Sequence, residues 1–376
     1  MADRTRTNPV TGSYGVKFLT FPKKSSTASA KPFAQLFSVV SIMHEAIIQG
    51  IPVTKRDIYY RDVPLFKNQK TVDNIVDDLA ASMNLERSDL NVRATSKGTF
   101  CGSVLTIHLS SGDIIRGNDS EASLIPVGED VETFNVDDDL AWVLVVEKDA
   151  VFQTLCHLNA TNHSSLPGKG LIITGKGYPD LATRHLVKTL SDFLPRTIPI
   201  VVLVDGDPYG LDILSVYKFG STRLRHENEK LAAGRVKWMG LLSSELAGLG
   251  IDKDALIPIS QHDEKKALSM LQRPPEIMPA KWRKELTHML HNRRKAEIEI
   301  LSSTRSSLQP SQSLSDSERS YSDSNRHSTS RSPSPSGNYQ SPHHSPLLEY
   351  LLLKLPQFIF TAQMRCSSES QRNRNK

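Results

Sequence analysis

The stretch Val201-Val202-Leu203-Val204-Asp205-Gly206-Asp207-Pro208-Tyr209-Gly210 decides the fold class. Four consecutive aliphatic residues, three of them β-branched, read as a strand buried on both faces, the pattern of a parallel sheet. Two carboxylates follow where the strand ends, separated by a glycine and stopped by a proline. In open α/β sheets, ligands bind beyond the carboxyl ends of the strands. Glycine lets a metal or phosphate approach the backbone, and Mg²⁺ takes oxygen ligands while keeping part of its water shell. Taken alone, such an Asp-x-Asp loop is as readily a pair of solvated acids. A second run, Ala141-Trp142-Val143-Leu144-Val145-Val146, ends directly in Glu147-Lys148-Asp149. Two core strands that each deliver a carboxylate to their end favour a site over surface decoration.

Working outward, strands at 141–146, 170–174 and 199–204 alternate with helical stretches near 149–157, 181–194 and 209–218. That alternation predicts a doubly wound α/β domain over 140–300. A helix near 262–272 and a long charged helix near 281–300 follow. On the amino-terminal side, Phe33, Leu36, Phe37, Val40, Met43 and Ile47 fall at helical spacing, closed by Gly50. Thr54 and Asp57 have capping-box spacing, so a second helix begins near Lys55 and carries Tyr60. Val72, Ile75, Val76, Leu79 and Met83 mark a third helix, and Ser88-Asp89 opens a fourth. Alternation from Val104 to Leu109, a turn at Ser111-Gly112 and a return at Ile114-Ile115 predict a hairpin. Helices followed by a hairpin read as a winged-helix domain over 31–120.

Residues 1–30 are polar and basic without periodicity, which predicts disorder. The acidic, turn-rich stretch 121–139 reads as a linker. Residues 301–376 read as a low-complexity tail, because the serine-rich part over 302–345 offers almost no apolar side chains to bury. The 376 residues carry a net charge of +5, which agrees with DNA binding without establishing it. Three scattered cysteines match neither a disulfide framework nor zinc-ligand spacing, pointing to a reducing compartment. No signal-peptide pattern opens the chain, and the apolar cluster at 347–360, broken by Glu349, Lys354 and Pro356, is too short to span a bilayer. No P-loop is present.

Four motifs carry a resemblance. In order they are Lys55-Arg56-Asp57-Ile58-Tyr59-Tyr60, Val146-Glu147-Lys148-Asp149, Ile173-Thr174-Gly175-Lys176-Gly177-Tyr178-Pro179-Asp180, and Asp205 to Gly210. Over roughly residues 30–300 the chain resembles the A subunit of type VI DNA topoisomerase and its eukaryotic relative, which makes meiotic double-strand breaks. The resemblance implies an α/β multidomain protein with a Toprim metal-binding domain, Rossmann-like in its parallel sheet, over 140–300. It selects Tyr60 over Tyr59 as the nucleophile that becomes linked to a 5′ DNA end. Arg56, one helical turn earlier, is placed to stabilise the phenolate or the phosphate. Glu147, Asp205 and Asp207 would hold Mg²⁺, and Lys97, Lys176, Tyr178 and Arg184 become candidate DNA contacts. Also implied are double-stranded DNA as substrate, a homodimer, an ATPase partner of the topoisomerase VI B type, meiotic accessory proteins and a nuclear location. Alternatives are a topoisomerase VI A-type protein serving relaxation or decatenation and an inactive DNA-binding paralogue.

Overall fold

The computed structural model describes residues 1–7, 14–21, 30–221, 224, 227–303 and 345–374. The expected disorder of residues 1–30 is corrected at its start. Ala2–Thr7 (β1) pairs antiparallel with Tyr14–Val16 (β2). The hairpin is held by a buried charge: Arg4 pairs with Asp78 at 2.7 Å and with Asp77 at 3.3 Å. Its partners lie more than seventy residues away, so no local pattern announces it.

Ala30–Gln49 (α1) is the expected helix, but its buried face is rotated from the one expected. Val39, Ile42, Met43 and Ala46 face inward, whereas Phe37, Val40 and Ile47 remain exposed. Val53–Thr54 (β3) leads into Lys55–Arg61 (α2), and the capping box forms between Thr54 and Asp57 as predicted. Val63–Phe66 (α3) and Gln69–Met83 (α4) complete the helices. The helix expected from Ser88 is a single 3-10 turn ending in left-handed Asn91. Val92–Arg93 (β4) then pairs parallel with β3. These elements share their own core, including Ile58, Phe66, Val72 and Val76.

Beneath α2 lies a knot of ions. Asp77 of α4 receives Arg4 of β1, Lys55 at the start of α2, and Arg87 at 2.7 Å. Burial, reinforced by the Arg87 charge, draws the Lys55 pKa down from its ordinary value.

Thr99–Cys101 (β5) leaves this unit and enters the large sheet. Leu105–Leu109 (β6) and Ile114–Arg116 (β7) make the predicted hairpin. After Ser123–Leu124 (β8), Val131–Val136 (β9) pairs along the other edge of β6. Residues 121–139 are therefore two strands, not a linker. Leu105 and Ile107 of the hairpin are buried in the core of the large sheet rather than that of the helices. A side chain's loyalty to one core or another depends on distant partners, which periodicity does not encode.

The large sheet forms as the aliphatic runs require. Leu140–Val146 (β10), Asp149–His157 (α5), Lys169–Thr174 (β11), Leu181–Phe193 (α6), Ile200–Leu203 (β12) and Pro208–Phe219 (α7) match the predicted alternation closely. Asn228–Leu231 (α8) and Lys237–Gly240 (β13), which the periodicity did not announce, follow. The order is β13-β12-β10-β11-β5-β8, parallel among the first four and antiparallel at β5 and β8. The chain turns one way from β10 to β11 and the other way to β12. The crevice between β10 and β12 is therefore the switch point where α/β sheets place their ligands. Side chains of β10 alternate between cores, Val143 and Val145 on one face and Trp142, Leu144 and Val146 on the other. Gly170 on β11 makes this possible, because a Cβ there would lie 2.2 Å from the Trp142 ring.

Ile257–Pro258 (β14), Gln261–Leu271 (α9) and Ala280–Asn292 (α10) come next. The long helix expected to reach residue 300 stops at Asn292, where Arg293 turns left-handed with φ 51°. Arg294–Lys295 (β15) then runs back beside β14, before the short Ile300–Ser303 (α11). The tail expected over 301–376 is corrected at its end, while residues 304–344 lie outside those described. Pro346–Arg374 (α12) is a helix, and Leu347, Leu348, Tyr350, Leu351 and Leu355 are buried in the second core of the sheet. Glu245 receives the Tyr350 hydroxyl at 2.7 Å and also pairs with Lys354. No described helix is long and apolar enough to cross a membrane.

Two stability outcomes follow from these cores. Leu351, fully buried, should cost about 2–5 kcal/mol when truncated to alanine, read as a shift in the denaturant midpoint at unchanged slope. An unchanged midpoint would mean that α12 does not complete the core. Asp77→Asn leaves the buried Arg4 and the half-buried Lys55 and Arg87 short of their shared anion and should cost about 3–5 kcal/mol. The loss should appear as early amide exchange in α2 and α4; uniform protection there would contradict the network's role.

Candidate active site

Glu147 follows the last residue of β10, and Asp205 lies two residues beyond β12. The parallel register of these strands sets their two ends side by side. The Glu147 amide donates to the Leu203 carbonyl at 3.0 Å, and the Asp205 amide donates to Glu147 Oε2 at 2.9 Å. Asp207 is the N-cap of α7, accepting from the Gly210 amide at 2.7 Å, with Pro208 at the first helical position. Gly210 is required by closeness alone. A Cβ there would meet the Asp205 carbonyl at 2.5 Å and Glu147 Oε2 at 3.0 Å.

The return segment after α10 finishes the site. The Ile298 amide donates to Asp205 Oδ1 at 2.9 Å, and Gly206 bridges to Ala296. Lys148 reaches Asp205 at 3.2 Å, Glu297 at 3.1 Å and Glu299 at 2.6 Å. Lys295 lies 3.6 Å from Asp207 and 3.2 Å from Asp263. Of these partners, Lys295, Ala296, Glu297, Ile298, Glu299 and Asp263 were not singled out from the sequence. A signal was present nonetheless: Lys295-Ala296-Glu297-Ile298-Glu299-Ile300 alternates charged and apolar residues, the period of an extended strand rather than a helix.

The electrostatics follow from burial. Burial, then the neighbouring Asp205 charge, pushes the Glu147 carboxyl up to about 8. Burial raises Asp205 to about 6, against the lowering pull of the Ile298 amide and Lys148. Asp207 is likewise raised by burial. Among the described residues no three carboxylate, imidazole or thiol groups form a finished metal centre. The donor set nonetheless fits a hard divalent cation, because it consists of three crowded, largely desolvated carboxylates whose negative charge is poorly tolerated. Glu147 Oε1 has no hydrogen-bond partner among the described residues.

Tyr60 stands apart from this crevice. It lies on α2 with 61% of its surface exposed, and the Arg56 guanidinium is 5.9 Å from its ring centroid. Tyr59 turns inward against the helical core. No hydrogen bond, ion pair or ring contact among the described residues joins Tyr60 to the three carboxylates.

The candidate DNA contacts divide. Lys97 donates to the Lys176 carbonyl at 3.0 Å, and the Gly177 amide donates to the Glu147 carbonyl at 2.8 Å. Both lysines therefore sit at the rim of the carboxylate crevice, with Lys176 held left-handed at φ 52° and its ammonium 3.5 Å from Asp149. The Tyr178 hydroxyl is engaged by Asp212 at 2.7 Å, although the side chain remains partly exposed. Arg184 is a correction. It is 2% exposed, its guanidinium reaches Asn228 at 3.4 Å, and burial lowers its pKa to about 10. A side chain so enclosed is not presented to DNA; on the amphipathic α6 it falls on the inner face.

Comparison with known proteins agrees with this architecture. Residues 142–314 match the family described as the Toprim domain of the topoisomerase 6 A subunit and Spo11, and residues 31–92 match type IIB DNA topoisomerase. The second match ends at β4, where the helical unit ends. The chain is 38% identical over 280 residues to the meiotic recombination protein SPO11 of Homo sapiens, covering 74% of this chain and 69% of that protein. It is 34% identical over 286 residues to the meiotic recombination protein rec12 of Schizosaccharomyces pombe, covering 76% of each. Against the A subunit of DNA topoisomerase 6 from Arabidopsis thaliana it is 32% identical over 291 residues, covering 73% of this chain and 65% of that one. With a helical unit and a Toprim sheet that both match, the chain belongs to the family of Spo11 proteins and type VI topoisomerase A subunits, DNA-cleaving transesterases of the type IIB class.

Proposed function

We propose that the protein initiates meiotic recombination by cutting both strands of duplex DNA, each cut leaving a protomer joined to a 5′ end. The observation that carries this reading is the presence, in one chain, of an exposed tyrosine, Tyr60 beside Arg56, and of three carboxylates at the sheet's switch point, Asp205 buried and Glu147 and Asp207 half-buried. In the reaction Tyr60 Oη attacks a backbone phosphorus. An O–P bond to tyrosine forms, the bond to the 3′ oxygen breaks, and that oxygen leaves as a hydroxyl carrying a proton. A phenol with a reference pKa of about 10 is mostly protonated at neutral pH, so Arg56 serves by stabilising the developing phenolate or the phosphate. Because phenolate is also a good leaving group, the linkage stores the bond energy of the cut.

Glu147, Asp205 and Asp207 would hold Mg²⁺, which when bound polarises the phosphate and offsets charge gathered in the transition state. Lys148 keeps Asp205 oriented, and Lys97 and Lys176 offer cations to the DNA backbone at the rim. One tyrosine cuts one strand, so a double-strand break takes two protomers, most simply in two-fold symmetry. The absence of contact between Tyr60 and the carboxylates among the described residues supports a site shared between protomers. An ATPase partner of the topoisomerase VI B type, accessory meiotic proteins and a nuclear setting belong to the same reading. The similarity to plant topoisomerase 6 A subunits favours, as second reading, strand passage with such a partner.

Tyr60→Phe should abolish protein-linked DNA ends while folding and DNA binding persist, and Tyr59→Phe should retain them. Covalent ends formed by the Tyr60→Phe protein would remove Tyr60 as the nucleophile. A shared site has its own signature. Mixed dimers of Tyr60→Phe with Asp205→Ala should give single-strand nicks and no double-strand breaks, where each mutant alone gives neither. Loss of nicks in a verified mixed dimer would mean that each protomer builds its site alone.

A further inference from the structure

A cavity of about 300 Å³ opens at the far end of the sheet from the carboxylates. Its walls come from the turn before β12, from α7, from the entry to β13 and from α12. Five basic residues line it, Arg196, Lys218, Arg235, Lys237 and Arg365, and no acidic one does. Ile200 is in its wall and Asp205 is five residues along the same strand line, so the two sites are separated by roughly 16 Å at 3.3 Å per residue.

The cations are of two kinds. Two are tied to backbone carbonyls, which orient them without cancelling their charge. Lys218 donates to the carbonyls of Gly234 at 2.6 Å and Val236 at 2.8 Å. The Arg235 guanidinium donates to the carbonyls of Ser191, Leu194, Pro195 and Ile198 at 2.5–3.0 Å. The side chains of the other three, Arg196, Lys237 and Arg365, make no hydrogen bond or ion pair with any described residue, so among the described residues their donors are uncommitted. The one acid on α6, Asp192, is paired with Lys188 at 2.7 Å.

Like charges gathered around one cavity repel, and the arrangement costs free energy unless an anion joins it. Burial first, then the neighbouring cation, lowers the pKa of Lys218, Arg235 and Lys237.

We propose that this cavity binds a phosphate monoester or inorganic phosphate dianion. A tetrahedral dianion accepts hydrogen bonds on several sides at once, and guanidinium groups supply paired donors. At about 300 Å³ the cavity accommodates a phosphate with the residue that bears it. One source of such a group is within the chain. The Ser332-Pro333 and Ser334-Pro335 steps precede α12 in sequence, and α12 contributes Arg365 to the site.

The test uses the full-length protein with EDTA present and ionic strength held constant, so that the carboxylate crevice and general screening do not contribute. Titration calorimetry would compare inorganic phosphate with synthetic peptides of residues 328–338, phosphorylated on Ser332 and Ser334 or unmodified. The second protein is the double variant Arg196→Ser/Arg365→Ser, whose altered residues are exposed and outside both cores. Loss of the two charge-assisted contacts should weaken phosphate binding at least about tenfold. Tighter binding of the phosphopeptide identifies phosphoserine as the ligand; equal or tighter binding of inorganic phosphate identifies the free ion. The proposal is overturned if neither phosphate ligand binds, or if the double variant binds them as the parent does. It is also overturned if the variant keeps its phosphate affinity and instead loses affinity for duplex DNA.

Discussion

The carboxylate of Asp205 is bonded on both oxygens, and the geometry around it depends on that. A buried carboxylate is tolerated only where its acceptors are engaged. Here Oδ1 takes the amide of Ile298 and Oδ2 faces Lys148. The first bond draws the segment after α10 across the carboxyl ends of β10 and β12. The second draws in Glu297 and Glu299, which share Lys148. The same segment delivers Lys295 to Asp207 and Asp263. Two motifs nearly sixty residues apart supply the carboxylates, but a third part of the chain holds them in place.

The helical unit has the opposite charge arrangement. There a single aspartate, Asp77, gathers three cations, and one of them is the first residue of the helix bearing Tyr60. Buried ion clusters rarely add much net stability, yet they penalise every alternative packing that leaves a member unpaired. The tyrosine's side chain is exposed, but its helix is fixed by a cap at one end, Ile58 in the core and a charge below.

Much of this was legible in the residues because it is local. The aliphatic runs of β10, β11 and β12 bury themselves whichever neighbours they find, and the Thr54 to Asp57 spacing forms its box from four consecutive residues. Glu147, Asp205 and Asp207 were legible as carboxylates at the ends of those runs, whereas the resemblance, not the spacing, singled out Tyr60. What escaped was set by distance. Arg4 belongs to an ordered hairpin only because Asp77 and Asp78 await it. The β6–β7 hairpin faces the sheet's core because β9 returns to pair with it. On α1 two apolar stripes compete, and contacts with α4 and its neighbours, not spacing, decide which one is buried. The strand-like alternation around Ile298 was readable, but its helical surroundings masked it. Arg184 shows the converse: a charged residue near a binding motif is buried when its helix turns it inward.

The placement of α12 changes what the serine-rich stretch is. With α11 packed on one side and α12 inserted in the same core on the other, residues 304–344 join two parts of one folded body. They are an insertion anchored at both ends, not an appendage. Whatever its length, this stretch has to keep reading frame into Leu347, because the residues from there to Leu355 supply part of that core. A change of frame there would remove the wall of a core rather than trim an end.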